Sequence, residues 1–249
     1  MRRDGFLIIL RSRAAMKRVS QSIVLRRVAY GDADWIVTFF TRDMGRLSGM
    51  AKSARLSQRR FGGALEPGSV VDMRYSMPRS HGLARLEEAQ VLVPMNGAMK
   101  TLERLGAVAR SLALALAFLQ EHEPNPGKFD LLRDRLTRLS ASDPTPNDLA
   151  AYELRWLALC GYAPEISRCA RCGDGADGGD GWSFDFARGG FCCYSCRPGP
   201  ESVGLSIAAH KGFESLAKGG ETDEVSSEAA ARVLARYIDH LLGRPLGVR

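Results

Sequence analysis

The spacing of apolar residues changes near residue 95, and this change limits the chain to folds in which strands and helices are segregated. Up to residue 93 the apolar residues form short runs, several of which alternate with polar residues, as is typical of β-strands. From Asn96 onward they recur at helical spacing. Strands followed by helices indicate an α+β protein. We therefore expect a β-strand domain over residues 16–95 and an α-helical domain over residues 96–249.

The first domain is predicted to be a small barrel. Turn residues at 30–33 and 43–45 separate neighbouring strands, whereas the connection after Ala51 is long. Five short strands with one long connection favour a closed barrel such as the OB-fold over a sandwich. The predicted strands cover residues 21–26, 34–41, 46–51, 69–75 and 84–93.

The second domain is predicted to contain five helices. Leu105, Leu112 and Leu119 belong to the apolar stripe of the first one. Proline-containing segments at 124–127 and 143–147 separate the first three helices, because proline cannot continue a helix. The expected helices cover residues 102–119, 129–139, 149–160, 207–216 and 227–242.

Positive charge is concentrated in the first domain. Residues 1–95 contain 17 Lys and Arg against eight Asp and Glu, a net charge of +9, whereas the whole chain has a net charge of +7. Between residues 42 and 60, six basic side chains accompany a single acid, Asp43. Such a cationic connection on β-strands is suited to an extended polyanion, of which nucleic acid is the most abundant. The alternative is an ordinary solvated surface.

Four of the six cysteines are spaced as metal ligands. Cys169 and Cys172 form one C-x2-C pair, and Cys193 and Cys196 form a second pair after twenty residues. Two such pairs supply the tetrahedral sulfur set that Zn²⁺ favours, and four protein ligands predict a structural site. Residues 182–186 and Gly189-Gly190 predict a hairpin between the pairs, within a zinc module over residues 166–200. Cys192 is a weaker ligand candidate, and Cys160 is expected to be a buried thiol.

Motifs for nucleotide hydrolysis and dinucleotide binding are absent from the sequence, as is a recognisable catalytic constellation, so we do not expect an enzyme. No apolar run approaches the roughly 20 residues that span a bilayer. The N-terminus is a poor secretory signal, which favours a cytoplasmic protein. Residues 1–15 are expected to be an extension, either disordered or a mis-called start before Met16.

Several segments together resemble the bacterial RecO recombination-mediator family. The most extensive is residues 30–55, YGDADWIVTFFTRDMGRLSGMAKSAR. Residues 65–69 (LEPGS), 85–89 (RLEEA) and 152–164 (YELRWLALCGYAP) continue the pattern, and the four paired cysteines complete it. The resemblance covers about residues 18–243 in order, and the combination of segments is specific although any one of them is weak.

The resemblance implies an N-terminal five-stranded OB-fold barrel followed by an α-helical domain with an inserted four-cysteine zinc module. It also implies a DNA repair and homologous recombination mediator that binds single- and double-stranded DNA and anneals complementary strands without nucleotide hydrolysis. The implied partners are RecR, the acidic C-terminal tail of the single-strand-binding protein and, indirectly, RecA, which is loaded onto coated strands. The implied location is the bacterial cytoplasm, at the nucleoid.

In this family DNA contact is assigned to the basic region of the barrel, and charge identifies the candidate side chains in this chain. Their contacts with phosphates would give affinity without sequence specificity. Phe61 and Tyr75 are candidates for base stacking, although either is equally expected to be barrel core or a loop anchor. The candidate phosphate ligands are Arg26, Arg27, Arg42, Arg46, Lys52, Arg55, Arg59, Arg60 and Arg74.

Three other functions remain open from the residues alone. The first is a protein-interaction adaptor whose helical domain does the main work and whose affinity for nucleic acid is incidental. The second is a zinc-ribbon translation or transcription factor with an RNA-binding OB-fold. The third is a metal-dependent nuclease, which lacks support because the sequence shows no carboxylate cluster.

Overall fold

The computed structural model describes residues 17–78, 82–175, 181–196, 199 and 201–247. The predicted extension over residues 1–15 lies outside these ranges. Five strands occur at the predicted places, and the first of them extends further in both directions than the sequence indicated. They are β1 (Lys17–Tyr30), β2 (Asp34–Thr41), β3 (Gly45–Ala51), β4 (Val70–Ser76) and β5 (Ala84–Val93).

These strands form a closed barrel with the order β1-β2-β3-β5-β4. A register shift after Val24 bends β1, which lets this one strand pair with both β2 and β4. The barrel closes where β3 runs parallel to β5, with Gly49 beside Ala84. A Cβ atom at Gly49 would lie 2.7 Å from the Leu86 side chain, so this closure requires glycine. The long connection after β3 contains a four-residue helix, α1 (Gln58–Phe61), which the sequence did not predict.

Five longer helices follow, close to their predicted bounds. The proline-containing segments act as helix N-termini: the side chains of Asn125 and Thr145 each accept a hydrogen bond from a backbone N–H group, and Thr145 forms a capping box with Asp148. The last helix ends at Gly243 in the left-handed conformation. The helices are α2 (Leu102–Phe118), α3 (Pro126–Ala141), α4 (Pro146–Leu159), α5 (Ile207–Ala217) and α6 (Glu224–Leu242).

One apolar cluster contains side chains from both the barrel and the helices, and a second lies inside the barrel. The inward-facing barrel residues, such as Phe39 and Tyr75, form a separate cluster inside the barrel. Ile23 and Phe40 instead belong to the same cluster as the helical side chains, and the Phe40 ring lies 5.5 Å from that of Phe129 on α3. One side of the barrel is therefore covered by the helices.

Polar contacts fix this junction between barrel and helices. The Arg46 guanidinium donates a hydrogen bond to the Leu116 carbonyl at 3.1 Å, and the Arg46 carbonyl accepts one from the His122 N–H group. Arg42 forms an ion pair with Asp130 on α3 at 3.0 Å. Both arginines thus link the β2–β3 hairpin to the helical part of the chain.

The four paired cysteines lie in a small module between α4 and α5. The predicted hairpin is present as β6 (Trp182–Asp185) and β7 (Gly190–Cys193), and a third strand that the sequence did not predict, β8 (Ser202–Leu205), pairs with β6. The predicted fold class is confirmed: an N-terminal five-stranded barrel precedes helices that carry an inserted four-cysteine group. None of the described helices is long and apolar enough to cross a bilayer.

The helical part contains a buried ion pair between Arg110 on α2 and Glu153 on α4. The Glu153 side chain is completely buried, and burial raises the pKa of its carboxyl group while Arg110 acts against this. We expect Arg110→Ala to lower the free energy of unfolding by roughly 3 kcal/mol near pH 8, because it leaves a buried carboxylate without its partner.

The loss of unfolding free energy in Arg110→Ala should be smaller near pH 5 than near pH 8. Folding raises the pKa of the Glu153 carboxyl group, so its protonated form stabilises the protein at low pH, and this stability is lost as the pH rises through the pKa of the folded state. Removal of Arg110 raises the folded-state pKa further, so in the variant the carboxyl group is more fully protonated near pH 5. Urea unfolding at both pH values measures the effect. The control Arg232→Ala removes an exposed pair with Glu228 and should cost less than about 1 kcal/mol. Equal losses for the two variants would show that the buried pair has no special role.

Candidate nucleic-acid interface and metal centre

Most of the predicted DNA-binding side chains lie on or beside the connection that contains α1. This connection is held in place by its own hydrogen bonds. Arg60 donates to the Lys52 carbonyl at 2.6 Å, and Arg55 donates from its guanidinium to the Asp32 carbonyl at 3.1 Å. The Arg55 backbone N–H group also donates to the Ala33 carbonyl. The basic connection therefore packs against the β1–β2 turn.

Three of the predicted cations, Arg26, Lys52 and Arg59, are exposed and make no ion pair or side-chain hydrogen bond within the part of the chain that the structure describes. An Arg or Lys without a protein partner is available for a phosphate at no cost of breaking an existing pair. Two basic residues that sequence reasoning missed, Lys17 and Arg85, lie beside Lys52. Arg85 pairs with Met50, and because that pairing depends on how the barrel closes, the sequence alone did not reveal it.

The cations line two neighbouring depressions on the barrel surface. One, of about 520 Å³, is lined by Lys17, Lys52, Arg60 and Arg85 together with Glu87. Arg60 also lines the second, of about 480 Å³, which includes Arg59, Arg74, Glu87 and Glu88. Arg60 and Glu87 line both depressions, which therefore adjoin each other on the connection and on strands β4 and β5 and carry more basic than acidic side chains.

The remaining predicted cations have acidic or carbonyl partners. Arg27 pairs with Glu66 at 2.7 Å, and Arg74 with Glu88 at 3.4 Å. Arg42 and Arg46 contact the helical part, and Arg46 also lies 3.8 Å from Glu121. The structure therefore brings Lys52, Arg55, Arg59 and Arg60 together and places Arg42 and Arg46 at the junction with the helices.

The two aromatic candidates for base stacking are buried. Tyr75 has no exposed surface, packs edge-on against Phe39 and makes a hydrogen bond with Ser20. The Phe61 side chain is 3% exposed. Neither ring presents a free face to solvent, so both belong to the packing of the barrel and its connection.

Trp35, which sequence reasoning missed, is a half-buried aromatic residue beside Arg27 and Arg55. The Arg27 guanidinium lies 4.7 Å from the centre of the Trp35 ring, and that of Arg55 lies 5.7 Å from it. A cavity of about 430 Å³ opens here. Its lining includes Arg27, Trp35, Arg55, Phe61, Gly62, Gly63 and Glu66.

The four cysteines predicted to bind metal come together. The sulfur atoms of Cys169, Cys172, Cys193 and Cys196 all lie within 4.8 Å of one another, and those of Cys172 and Cys193 are 3.8 Å apart. Tetrahedral coordination with metal–sulfur bonds of about 2.3 Å places sulfur atoms about 3.8 Å apart. The arrangement therefore fits a single metal ion with four thiolate ligands.

Local hydrogen bonds favour the thiolate form of one of these ligands. The backbone N–H groups of Arg171 and Cys193 donate to the Cys169 sulfur at 3.4 Å each. Burial raises the pKa of the Cys169 thiol, but the backbone N–H group of Cys172 together with these two donors outweighs it and lowers the pKa to about 6. Cys192 is buried and outside the cluster, and burial raises the pKa of its thiol to about 11. Cys192, the weaker candidate for a metal ligand, is therefore a packing residue.

An aromatic cluster joins the cysteine module to the last two helices. The Trp182 ring stacks on that of His210, whose Nε2 is 2.9 Å from the Ile166 carbonyl oxygen. Phe184 contacts both Phe213 on α5 and Tyr237 on α6. Cys169 belongs to the same apolar core, and Cys193 and Cys196 pack against it, so the four cysteines lie beside this cluster.

Comparison with known proteins agrees with these features. The family model for the recombination protein O N terminal matches residues 16–95, and that for the recombination protein O C terminal matches residues 99–249. The DNA repair protein RecO of Anaeromyxobacter dehalogenans (strain 2CP-C) is 34% identical over 236 residues, which cover 91% of this chain and 92% of that protein. The DNA repair protein RecO of Myxococcus xanthus (strain DK1622) is 36% identical over 230 residues, with 90% and 92% covered. The chain belongs to the RecO family of recombination proteins.

Proposed function

We propose that this protein acts in DNA repair as a recombination mediator that binds single- and double-stranded DNA and anneals complementary strands. The observation that carries this proposal is the group of cations on and beside the connection that contains α1, of which Lys52, Arg59 and Arg85 are exposed and make no ion pair among the described residues. Contacts from such cations go to phosphates, which every DNA sequence offers. A repair factor that must act at any position in a genome needs this kind of binding.

The basic surface also supplies a physical route to annealing. Two complementary strands repel each other through their phosphates, and a surface that binds both lowers this repulsion. Base pairing then proceeds without a chemical step. The proposed role therefore needs no catalytic residues and no nucleotide, and the sequence has no phosphate-binding loop for one.

The predicted DNA-binding residues are proposed to contribute unequally. Lys52, Arg59 and Arg26 have no competing partner among the described residues, so we assign them the largest contribution, together with Arg85. Arg55 and Arg60 must exchange hydrogen bonds to carbonyl groups, and Arg27 and Arg74 must release carboxylates. Arg42 and Arg46 are proposed to act mainly at the junction with the helices.

Family membership supports the proposed partners. These are RecR, the acidic C-terminal tail of the single-strand-binding protein and, through loading onto coated strands, RecA. The proposed place of action is the bacterial cytoplasm, at the nucleoid. We further propose that residues 16–95 and 96–249 are the two domains of the chain, with a metal module over residues 166–200.

The metal is proposed to be a structural Zn²⁺ ion. Four thiolates suit a soft or borderline metal, and a closed set of four protein ligands leaves no position for a substrate. The residues that would hold it are Cys169, Cys172, Cys193 and Cys196. Bound there, the ion would join the two turns, which are also connected by hydrogen bonds such as that from the Cys193 N–H group to the Cys169 sulfur.

A protein-interaction adaptor is the second candidate, and one observation favours it. Met99, Leu102 and Leu105 are exposed near the start of α2, and the Leu102 side chain is 82% exposed. Exposed apolar groups at one place can mark a protein interface. In this case the helical part would do the main work, and loss of DNA affinity would leave the activity of the protein in cells intact.

The DNA-binding proposal is tested by reversing two cations on the basic surface. We expect Arg59→Glu combined with Arg85→Glu to weaken DNA binding at low salt by at least tenfold. The slope of log affinity against log salt concentration should become less steep by about 1 to 2, since each phosphate contact contributes about 0.7 to 0.9. Fluorescence anisotropy with labelled single-stranded and duplex DNA across a salt series measures both quantities.

The matched control places the same charge reversals on exposed residues of the helical part, Arg155→Glu and Lys211→Glu. This variant should keep both the affinity and the salt slope. If the two variants behave alike, net charge rather than the barrel surface determines binding. If the barrel variant loses DNA affinity and still supports repair in cells, the adaptor is the better description.

The metal proposal is tested with Cys193→Ser. We expect this variant to lose bound zinc and to unfold at a lower temperature, because the two turns lose their common ligand. DNA affinity should change little, since the cysteine module lies in the helical part. Elemental analysis and thermal unfolding measure the outcome, with Cys160→Ser, at the residue that follows α4 and outside the cluster, as control. Retention of zinc and of the unfolding temperature by Cys193→Ser would disprove the assignment.

A further inference from the structure

Trp35 occupies an unusual position for a residue of its size. It lies at the beginning of β2, at one end of the barrel, and packs against the inner cluster of the barrel while remaining partly exposed. A tryptophan needed only for packing would be expected to bury its ring in that cluster, as Phe39 and Tyr75 do. Part of the Trp35 ring instead forms a wall of the 430 Å³ cavity.

The two guanidinium groups beside Trp35 are held differently. Arg27 lies 4.7 Å from the ring centre and is fixed by its ion pair with Glu66 at 2.7 Å. Arg55 is exposed and lies 5.7 Å away, near the limit of about 6 Å for a useful cation–π contact. Its side chain is retained by one hydrogen bond to the Asp32 carbonyl. Arg55 can therefore leave the ring at little cost, whereas Arg27 stays.

The cavity has the size and composition of a site for one nucleotide. Its volume lies within the range of about 300 to 1,000 Å³ that is common for small-molecule sites. Gly62 and Gly63 line it without side chains, and a Cβ atom added at Gly63 would contact nothing within 4 Å. An aromatic face, a displaceable cation and an open glycine wall are what an unstacked base with its phosphate requires.

We propose that this cavity is a subsite for one unstacked base of single-stranded DNA, which stacks on Trp35 while Arg55 moves from the ring to the adjacent phosphate. The inference rests on the proposed DNA-binding function and adds to it a site that only single-stranded DNA can use. In duplex DNA the bases are paired and stacked, so they cannot reach the ring. Trp35 therefore contributes to the binding of single strands alone, whereas the exposed cations bind both forms.

Tryptophan fluorescence gives a direct reading of this contact. The chain has three tryptophans, and the other two are buried: Trp156 has no exposed surface, and Trp182 is 6% exposed. Titration with a thymine oligonucleotide should quench the emission in a saturable way. A chain of abasic sugar phosphates of the same length should bind with little quenching, because it offers phosphates without bases.

Binding assays with Trp35→Leu measure the contribution to affinity. Leucine keeps apolar packing against the barrel core and removes the stacking face. We expect single-strand affinity to fall about fivefold or more, within the range for loss of one base–aromatic contact. Duplex affinity and the salt slope should stay unchanged. Trp35→Phe keeps an aromatic ring, so it should lose the quenching and retain single-strand affinity to within about twofold.

The possible outcomes separate this subsite from the proposed function. Equal losses for single-stranded and duplex DNA, or emission that the oligonucleotide leaves unchanged while it binds, would overturn the subsite and leave DNA binding in place. Failure of the folded wild-type protein to bind either form would overturn both. Thermal unfolding shows whether each variant is folded. If Trp35→Leu does not fold, the existence of the subsite is decided by the fluorescence and affinity of Trp35→Phe and by wild-type binding of the abasic chain.

Discussion

The packing of one side of the barrel against the helices determines what the rest of the molecule can do. Phe40 and Ile23 point away from the barrel interior into the core that α2, α3 and α4 complete. The β2–β3 hairpin is fixed to the same elements through Arg42 and Arg46. Because this side is covered, an extended ligand must meet the barrel elsewhere, and several of the exposed cations among the described residues lie on the connection with α1 and on β4 and β5.

This division explains why similar basic residues have different environments. A cation at the junction gains a carboxylate or carbonyl partner from the helices, and a new partner would have to compete with it. Lys52 and Arg59, on the opposite side, have no such competitor among the described residues. The four-cysteine cluster belongs to neither surface. It lies in a loop-rich module that packs against α5 and α6 through Trp182 and Phe184.

Much of this arrangement could be predicted from the sequence because it depends on local signals. Alternation located the strands, prolines and capping residues located the helix N-termini, and cysteine spacing located the ligands that the structure brings together. Charge alone could not separate Arg46 from Arg59, since the partners of Arg46 are about 70 residues away in the sequence. Trp35 and Arg85 were missed for the same reason, because their roles follow from barrel closure.

The most direct test of the central claim is annealing of complementary strands coated by single-strand-binding protein, without any nucleotide, across a salt series. If the basic surface of the barrel performs the function, the strands anneal, the rate falls steeply with salt, and Arg59→Glu with Arg85→Glu abolishes the reaction. Absence of annealing by folded, metal-loaded protein would contradict the account, and so would a rate that is independent of salt.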